Sequence, residues 1–339
     1  DNTHPTLSTP AISDNAGGLD VNDGDTATLT FTSSTDVTTA PACAFEDGAD
    51  AAMDAGTSTA TGDATGWTCT VAVGDGDASG AMGYSISFSD AAGNAGTAVT
   101  SGSGSATIDN THPTLNTPAL TVNGAGNANT ADVVSLAFTS STDVTTAPAC
   151  AFSDSGAAME NSPSTASGSA SGWTCAITVD DTDADGAITY SISFSDASGN
   201  AGTAVTSGSG AVTIDNTHPS LSSLAATDGA YGVGEVLTIT VTYGEAVEST
   251  DATLTLSNGD TATLSSGSGS TALVFTTTIA EGDDDSSDLQ VSSIGGTVTD
   301  VAGNAAGAVS GDLGAVTVDG AVPVFSSVAA TDGAYGVGE

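Results

Sequence analysis

Trp67-Thr68-Cys69-Thr70-Val71-Ala72-Val73 sets its tryptophan, cysteine and valines at alternate positions. Successive side chains of a strand point to opposite faces, so Trp67, Cys69, Val71 and Val73 share one face. A cysteine beside a tryptophan on that apolar face points into a core. Earlier in the chain, Cys43 and Phe45 also share a face. A core-facing cysteine on each of two strands is what an inter-strand or inter-sheet bridge needs. The pattern recurs at Cys150 and Cys175, with spacings of 69 − 43 = 26 and 175 − 150 = 25. Matched pairs, one per repeat, predict disulfides Cys43–Cys69 and Cys150–Cys175 and an oxidising compartment. The close C-x-x-C knuckles of thiolate metal sites are absent.

The same alternation continues elsewhere. Ala27, Leu29 and Phe31 alternate with threonines, and so do Leu237, Ile239, Val241 and Tyr243. Tyr84, Ile86 and Phe88 alternate with serines, as do Tyr190, Ile192 and Phe194. Short one-faced strands between Gly/Asp/Ser turns predict an all-β chain of antiparallel sandwiches. The 43 glycines and abundant Ser, Thr and Asp argue against helices.

Asp-Asn-Thr-His-Pro begins at Asp1, Asp109 and Asp215, giving periods of 109 − 1 = 108 and 215 − 109 = 106. A fourth unit opens at Asp319, and 319 − 215 = 104. Each period suits one β-domain of roughly 100 residues. The expected division is 1–108 and 109–214 (disulfide type), 215–318 (no disulfide), and 319–339 as the truncated start of a fourth domain. Ala329–Glu339 repeats Ala225–Glu235 letter for letter, and the chain opens without methionine, so a window on a longer array is expected. Pro113, Pro219 and Pro323 each stand four residues after a boundary aspartate, which predicts short, stiff linkers.

With 41 acids and no lysine or arginine, the formal charge is −41. Nucleic-acid binding requires cationic side chains to displace counterions, and a polybasic membrane patch requires them too; both are excluded. No apolar run approaches the roughly 20 residues of a spanning helix, so no membrane insertion is expected within this segment. Divalent cations are the natural partners, since they would relieve repulsion along the array. Serines are plentiful, but the histidines recur at boundaries without a nucleophile partner, so no enzyme is expected.

The repeat tails resemble a known family. Ser89-Asp90-Ala91-Ala92-Gly93-Asn94, a strand, then Ile108-Asp109-Asn110-Thr111-His112-Pro113 is similar to the bacterial immunoglobulin-like repeats of giant surface adhesins. That family reads D-x-A-G-N, a strand, then V-D-T-T-A-P. Asp300-Val301-Ala302-Gly303-Asn304 with Tyr231-Gly232-Val233-Gly234-Glu235 resembles another repeat of this kind. The resemblance implies tandem immunoglobulin-like sandwiches in an extended, secreted or surface-anchored array, often stiffened by calcium.

Several residue sets could hold calcium. Asp181-Thr182-Asp183-Ala184-Asp185-Gly186 is a D-x-D-x-D-G stretch, with oxygens at alternate positions and a glycine for the turn. Asp75, Asp77 and Ser79 occupy the equivalent place in the first repeat. The closing glutamate of an EF-hand is missing, so a solvated turn is the competing reading. Asp283 and Asp285, with Asp284 and Asp288, form a looser cluster in the third repeat. A boundary set comprises Asp90, Asn94, Asp109 and Asn110; Asp196, Asn200, Asp215 and Asn216; and Asp300, Asn304 and Asp319. Carboxylate and amide oxygens gathered where domains meet could bind Ca²⁺ and lock the joint. His4, His112 and His218 are read as linker residues, because the boundary at Asp319 lacks a histidine.

The sequence therefore points to an extracellular, calcium-responsive stalk or fibre whose neighbouring repeats pack on one another. A self-assembling filament or surface-layer subunit, and a module binding glycans or ice, are the alternatives.

Overall fold

The computed structural model describes residues 2–14, 20–123 and 126–329. Its regular elements are all strands. The final stretch from Ala330, where the repeated Tyr-Gly-Val-Gly-Glu lies, falls outside the described residues. Two compact units are formed, one from Asp1–Gly126, Val133–Thr178 and Ala187–Val212, the other from Asn127–Asp132, Val179–Gly186 and Thr213–Glu339.

In the first unit, one sheet runs in the order Leu7–Asp14, Thr26–Ser33, Gly66–Ala72, Thr61–Asp63, and a second in the order Ala52–Thr59, Ala42–Glu46, Gly83–Ser87. Pairing is antiparallel within both sheets. Leu29 lies opposite Cys69 and Phe31 opposite Trp67 in the first; Cys43 lies opposite Ile86 and Phe45 opposite Tyr84 in the second. These inward residues form one core. The Cys43–Cys69 disulfide joins the two sheets through that core. The fold is thus a two-sheet antiparallel sandwich with a covalent pin through its centre, as the alternation predicts. Trp67 keeps its indole N–H satisfied by donating to Ser33 Oγ at 2.9 Å.

The second disulfide-type repeat follows the same plan. Leu115–Val122, Val133–Ser140, Gly172–Thr178 and Ser167–Ser169 form one sheet in that order. Ala149–Asp154 pairs with Ala157–Ala158, with Ser164–Thr165 and with the strand ending at Ser193. Cys150–Cys175 again pins the layers, and Trp173 donates to Ser140 Oγ at 3.0 Å.

The opening strand of each disulfide repeat is kinked. Register shifts between Ser8 and Ala11, and between Asn116 and Ala119, at Thr9-Pro10 and Thr117-Pro118. Proline has no N–H to give the ladder, so the strand bulges there. Thr9 and Thr117 adopt φ of 52° and 49°. The proline carbonyls turn outward instead, and accept from Ser103 N at 2.7 Å and Ser209 N at 2.8 Å.

The second unit is built differently. Seven strands form one hydrogen-bonded sheet in the order Leu221–Ala226, Val236–Val247, Ser270–Thr278, Thr261–Ser266, Thr253–Leu256, Gln290–Gly295, Gly311–Asp312. Bulges at Thr242/Val247 and Leu264/Ser266 break the register. Leu237, Ile239, Leu254 and Phe275 are fully buried in its core, which contains no cysteine. Burying side chains of this size contributes roughly 1.5–3 kcal/mol each. Continuous strand pairing and a full apolar core hold together here what the disulfides pin elsewhere.

Candidate cation site at the Asp215 boundary

The boundary segments at Asp109 and Asp215 are each clasped by two loops through an asparagine on either side. The upstream clasp uses the boundary asparagine. Asn110 Nδ2 donates to the carbonyls of Gly74 and Asp77 at 2.8 and 2.9 Å. Asn216 Nδ2 does the same to Asp180 and Asp183 at 2.9 and 3.0 Å. The aspartate-rich loops therefore hold the boundary with backbone oxygens.

The buried aspartates of these loops face backbone N–H groups. Asp77 is 5% exposed and accepts from Gly74 N at 2.9 Å and Asp54 N at 3.3 Å. Asp183 is likewise buried and accepts from Asp180 N at 2.8 Å. Ser79 Oγ accepts from Asn110 N at 3.0 Å, and the matching acceptor for Asn216 N is Asp185 Oδ1 at 2.6 Å. Asp185 also takes the Thr217 hydroxyl; that bond, then the Asn216 N–H, holds its carboxyl below the usual range. Asp75 and Asp181 are exposed, and the adjacent Asp180 carboxyl pushes Asp181 up.

The downstream clasp uses the D-x-x-G-N loop. Asp90, Asp196 and Asp300 are each buried, and each accepts from the N–H and the side-chain amide of the asparagine four residues on, at 2.7–2.9 Å. The Asn94 amide, then backbone N–H groups, lowers the Asp90 carboxyl. Held in this way, Asn200 Nδ2 donates to Asp109 O and Asn304 Nδ2 to Asp215 O, both at 2.7 Å. The histidines complete the grip: His4, His112 and His218 donate from Nδ1 to the carbonyls of Ala95, Ala201 and Ala305 at 2.8, 2.8 and 2.9 Å.

The two fully described boundaries then diverge. At Asp109 the carboxylate accepts from Ser198 Oγ at 2.8 Å and Thr111 N at 3.1 Å. At Asp215 the position of Ser198 is taken by Ala302, which has no hydroxyl. A glutamate arrives instead. Ser141 N donates to Thr114 O, and Gly244 N to Ser220 O, both at 2.9 Å, which aligns the two strands. The next residue is Thr142 in one and Glu245 in the other. As a result, Asp215, Glu245 and Asp300 bring one carboxylate oxygen each within 4.8 Å of one another, the one such group of three among the described residues.

Burial, then repulsion from Asp215, Asp300 and Asp185, pushes Glu245 up; burial also leads the upward push on Asp215. With no lysine or arginine in the chain, no side-chain ammonium or guanidinium can neutralise the group. Three hard oxygen donors of this kind suit Ca²⁺. Glu245 was not among the sequence candidates. Its signal lay in aligning the strand ends rather than in any acidic motif. The remaining candidates lie apart from this group: Asp283 accepts from Ala280 N at 2.6 Å, Asp285 from Gly320 N at 2.9 Å, and Asp319 from Ala321 N at 3.0 Å.

The raised values set a pH dependence. An acid that is more readily protonated in the folded state stabilises when neutral, and that stability is lost as pH climbs through its window. The windows open upward from 3.8 for Asp215 and 4.5 for Glu245. In EDTA, the second unit should therefore melt lower at neutral pH than at pH near 4.5. Asp90 has the opposite sign, so its contribution is lost only as pH falls below 3.8. Calorimetry across that range, with Glu245→Gln flattening the second unit's slope, checks the assignment.

None of the protein families compared, and none of the curated proteins, matches the chain. Among solved structures, it is similar to the tetra-tandem repeat in the extending region of a large adhesion protein, at 20% identity over 91% of this chain and 75% of that one, with TM-score 0.27. It is also similar to the chicken CNTN1 FN1-FN3 domains, at 9% identity over 90% of this chain and 98% of that one, with TM-score 0.27.

Proposed function

We propose that the chain is a structural repeat region, an extracellular stalk or fibre whose joints are stiffened by Ca²⁺. The load passes through domains 1–108, 109–214 and 215–318, each held to the next by a boundary aspartate, asparagine and histidine. The observation that carries the calcium reading is the Asp215–Glu245–Asp300 group, three carboxylates gathered beside a boundary segment in a chain without lysine or arginine. Ca²⁺ would be held by these oxygens, and would tie the boundary aspartate to the D-x-x-G-N loop and to the strand carrying Glu245. Disulfides in both cysteine-bearing repeats support an oxidising, extracellular setting.

Glu245→Gln tests the site by a change of sign. In EDTA it removes one of three repelling carboxylates, so the second unit should melt higher than wild type. In millimolar Ca²⁺ it removes a ligand, so it should melt lower. At 100 times the dissociation constant, wild type gains about 2.7 kcal/mol from the ion. Equal melting of wild type with and without Ca²⁺ sinks the calcium reading. Scattering that shows freely tumbling modules in saturating Ca²⁺ sinks the stalk.

A further inference from the structure

The two disulfide repeats share a groove that neither the disulfide nor the clasp requires. It has a volume of about 430 Å³ in the first repeat, between His4–Leu7 and Thr97–Ser101, and about 420 Å³ in the second, between His112–Leu115 and Thr203–Ser207. Its floor includes the edge of Phe88 or Phe194, each 8% exposed. The ring lies flat on Gly96 or Gly202, where a Cβ would stand 2.2 or 2.1 Å from it.

The walls are two strand segments that meet below and part above. They meet where Ser103 N donates to Pro10 O at 2.7 Å and Ile12 N to Ser103 O at 3.2 Å. Beyond the Thr9-Pro10 kink they separate. On one wall, Val99 exchanges both its backbone bonds with Ile86, at 2.9 and 3.2 Å. Strand groups alternate in direction, so Ala98 and Thr100 turn theirs away from Ile86, and neither makes a backbone hydrogen bond among the described residues. Val205 and Ile192 repeat the exchange, at 2.9 and 3.2 Å, leaving Ala204 and Thr206 in the same condition. The opposite wall carries Pro5 or Pro113, whose carbonyls accept no backbone hydrogen bond among the described residues.

The second unit shows that the seam can close. There Gly307 N donates to Pro219 O at 3.1 Å. Gly307 stands three residues after Asn304, as Thr97 and Thr203 do after Asn94 and Asn200. The opening is thus a property of the two disulfide repeats and not of the fold.

We propose that each groove is a docking site for an extended, basic segment of a partner protein, added as a strand between the two walls. Open backbone groups on a strand edge select an extended peptide. Charge selects the partner: the chain has 41 acids and no lysine or arginine, so a second copy or an acidic peptide is repelled and a basic one is drawn in. Alternate apolar side chains of the segment rest on the phenylalanine floor, and the basic ones face solvent.

The probe is a capped Lys-Val-Lys-Thr-Lys-Val-Lys peptide, titrated against the full chain and followed by calorimetry and by amide hydrogen exchange. Two equivalent sites per chain are expected, with new protection at Ala98, Thr100, Ala204 and Thr206. The Glu-for-Lys version of the peptide should bind at least about tenfold more weakly. Ala98→Pro with Ala204→Pro, which removes two donors, should also cost at least about tenfold. If the proline pair fails to fold, the exchange pattern and the acidic peptide decide. Binding without protection of these amides, binding abolished by salt alone, equal affinity for the acidic peptide, or full affinity in a folded proline pair overturns the proposal.

Discussion

Unfolded in reductant and refolded without reoxidation, the chain should show a large loss of stability in its first unit and none in its second. All four cysteines lie in the first unit and all are paired. The bridges close loops with separations of 26 and 25 residues, which in the chain-entropy account are worth about 3–4 kcal/mol each. For a domain of this size that corresponds to a fall in melting temperature on the order of 15–25 °C. The loss is a large fraction of the 5–15 kcal/mol that typically holds a domain together. The half-cystines are at most 3% exposed, so reductant added to the folded protein should act slowly; the measurement must start from the unfolded chain. Differential scanning calorimetry of oxidised and reduced protein, in EDTA, checks it. An unchanged first-unit transition would mean that the core alone suffices and that the pins are dispensable.

Asp300→Ala should destabilise the second unit by about 2–4 kcal/mol even in EDTA. Asp300 is 4% exposed and accepts from Gly303 N at 2.7 Å, Asn304 N at 2.9 Å and Asn304 Nδ2 at 2.9 Å. Deleting the carboxylate strands these donors in a buried loop. It also frees Asn304, whose amide otherwise holds Asp215 O at 2.7 Å, so the boundary should loosen along with the loop. Hydrogen exchange should show faster opening at Gly303 and Asn304. Asp300→Asn separates the loop from the ion: its remaining oxygen can serve the two backbone donors, but its new NH₂ faces the Asn304 amide. It should cost less than alanine in EDTA, yet lose the response to Ca²⁺ as completely. A calcium response retained by both variants would remove Asp300 from the ion's ligands while leaving its structural role intact.

The two variants at this boundary differ for a physical reason. Asp300 is built into the loop by hydrogen bonds, so removing it costs stability with or without an ion. Glu245 is held near its neighbours against repulsion, so removing it without an ion is a relief. The contrast separates a residue that makes the boundary from one that only a cation would justify.

Much of this was legible in the amino-acid order. Strict alternation at Trp67–Val73 and Leu237–Tyr243 specified strands with one buried face, because the period of two leaves no other way to hide those side chains. The matched cysteines lay on such faces, so their pairing followed. Asp90, Asp196 and Asp300, each four residues ahead of an asparagine, announced a repeated loop. What composition and spacing left undecided was the direction in which the acidic side chains point. Asp77 and Asp183 read as candidate cation oxygens, and in the fold they accept from the backbone N–H groups of Gly74, Asp54 and Asp180. Glu245 read as an ordinary strand residue, and folding carried it to Asp215 and Asp300. The open seams beside Phe88 and Phe194 left no mark in the sequence either. Periodicity is a local property, set by backbone geometry one residue at a time. Which carboxylates meet, and which strand edges stay unpaired, depends on segments tens of residues apart, and only the packed chain brings them together.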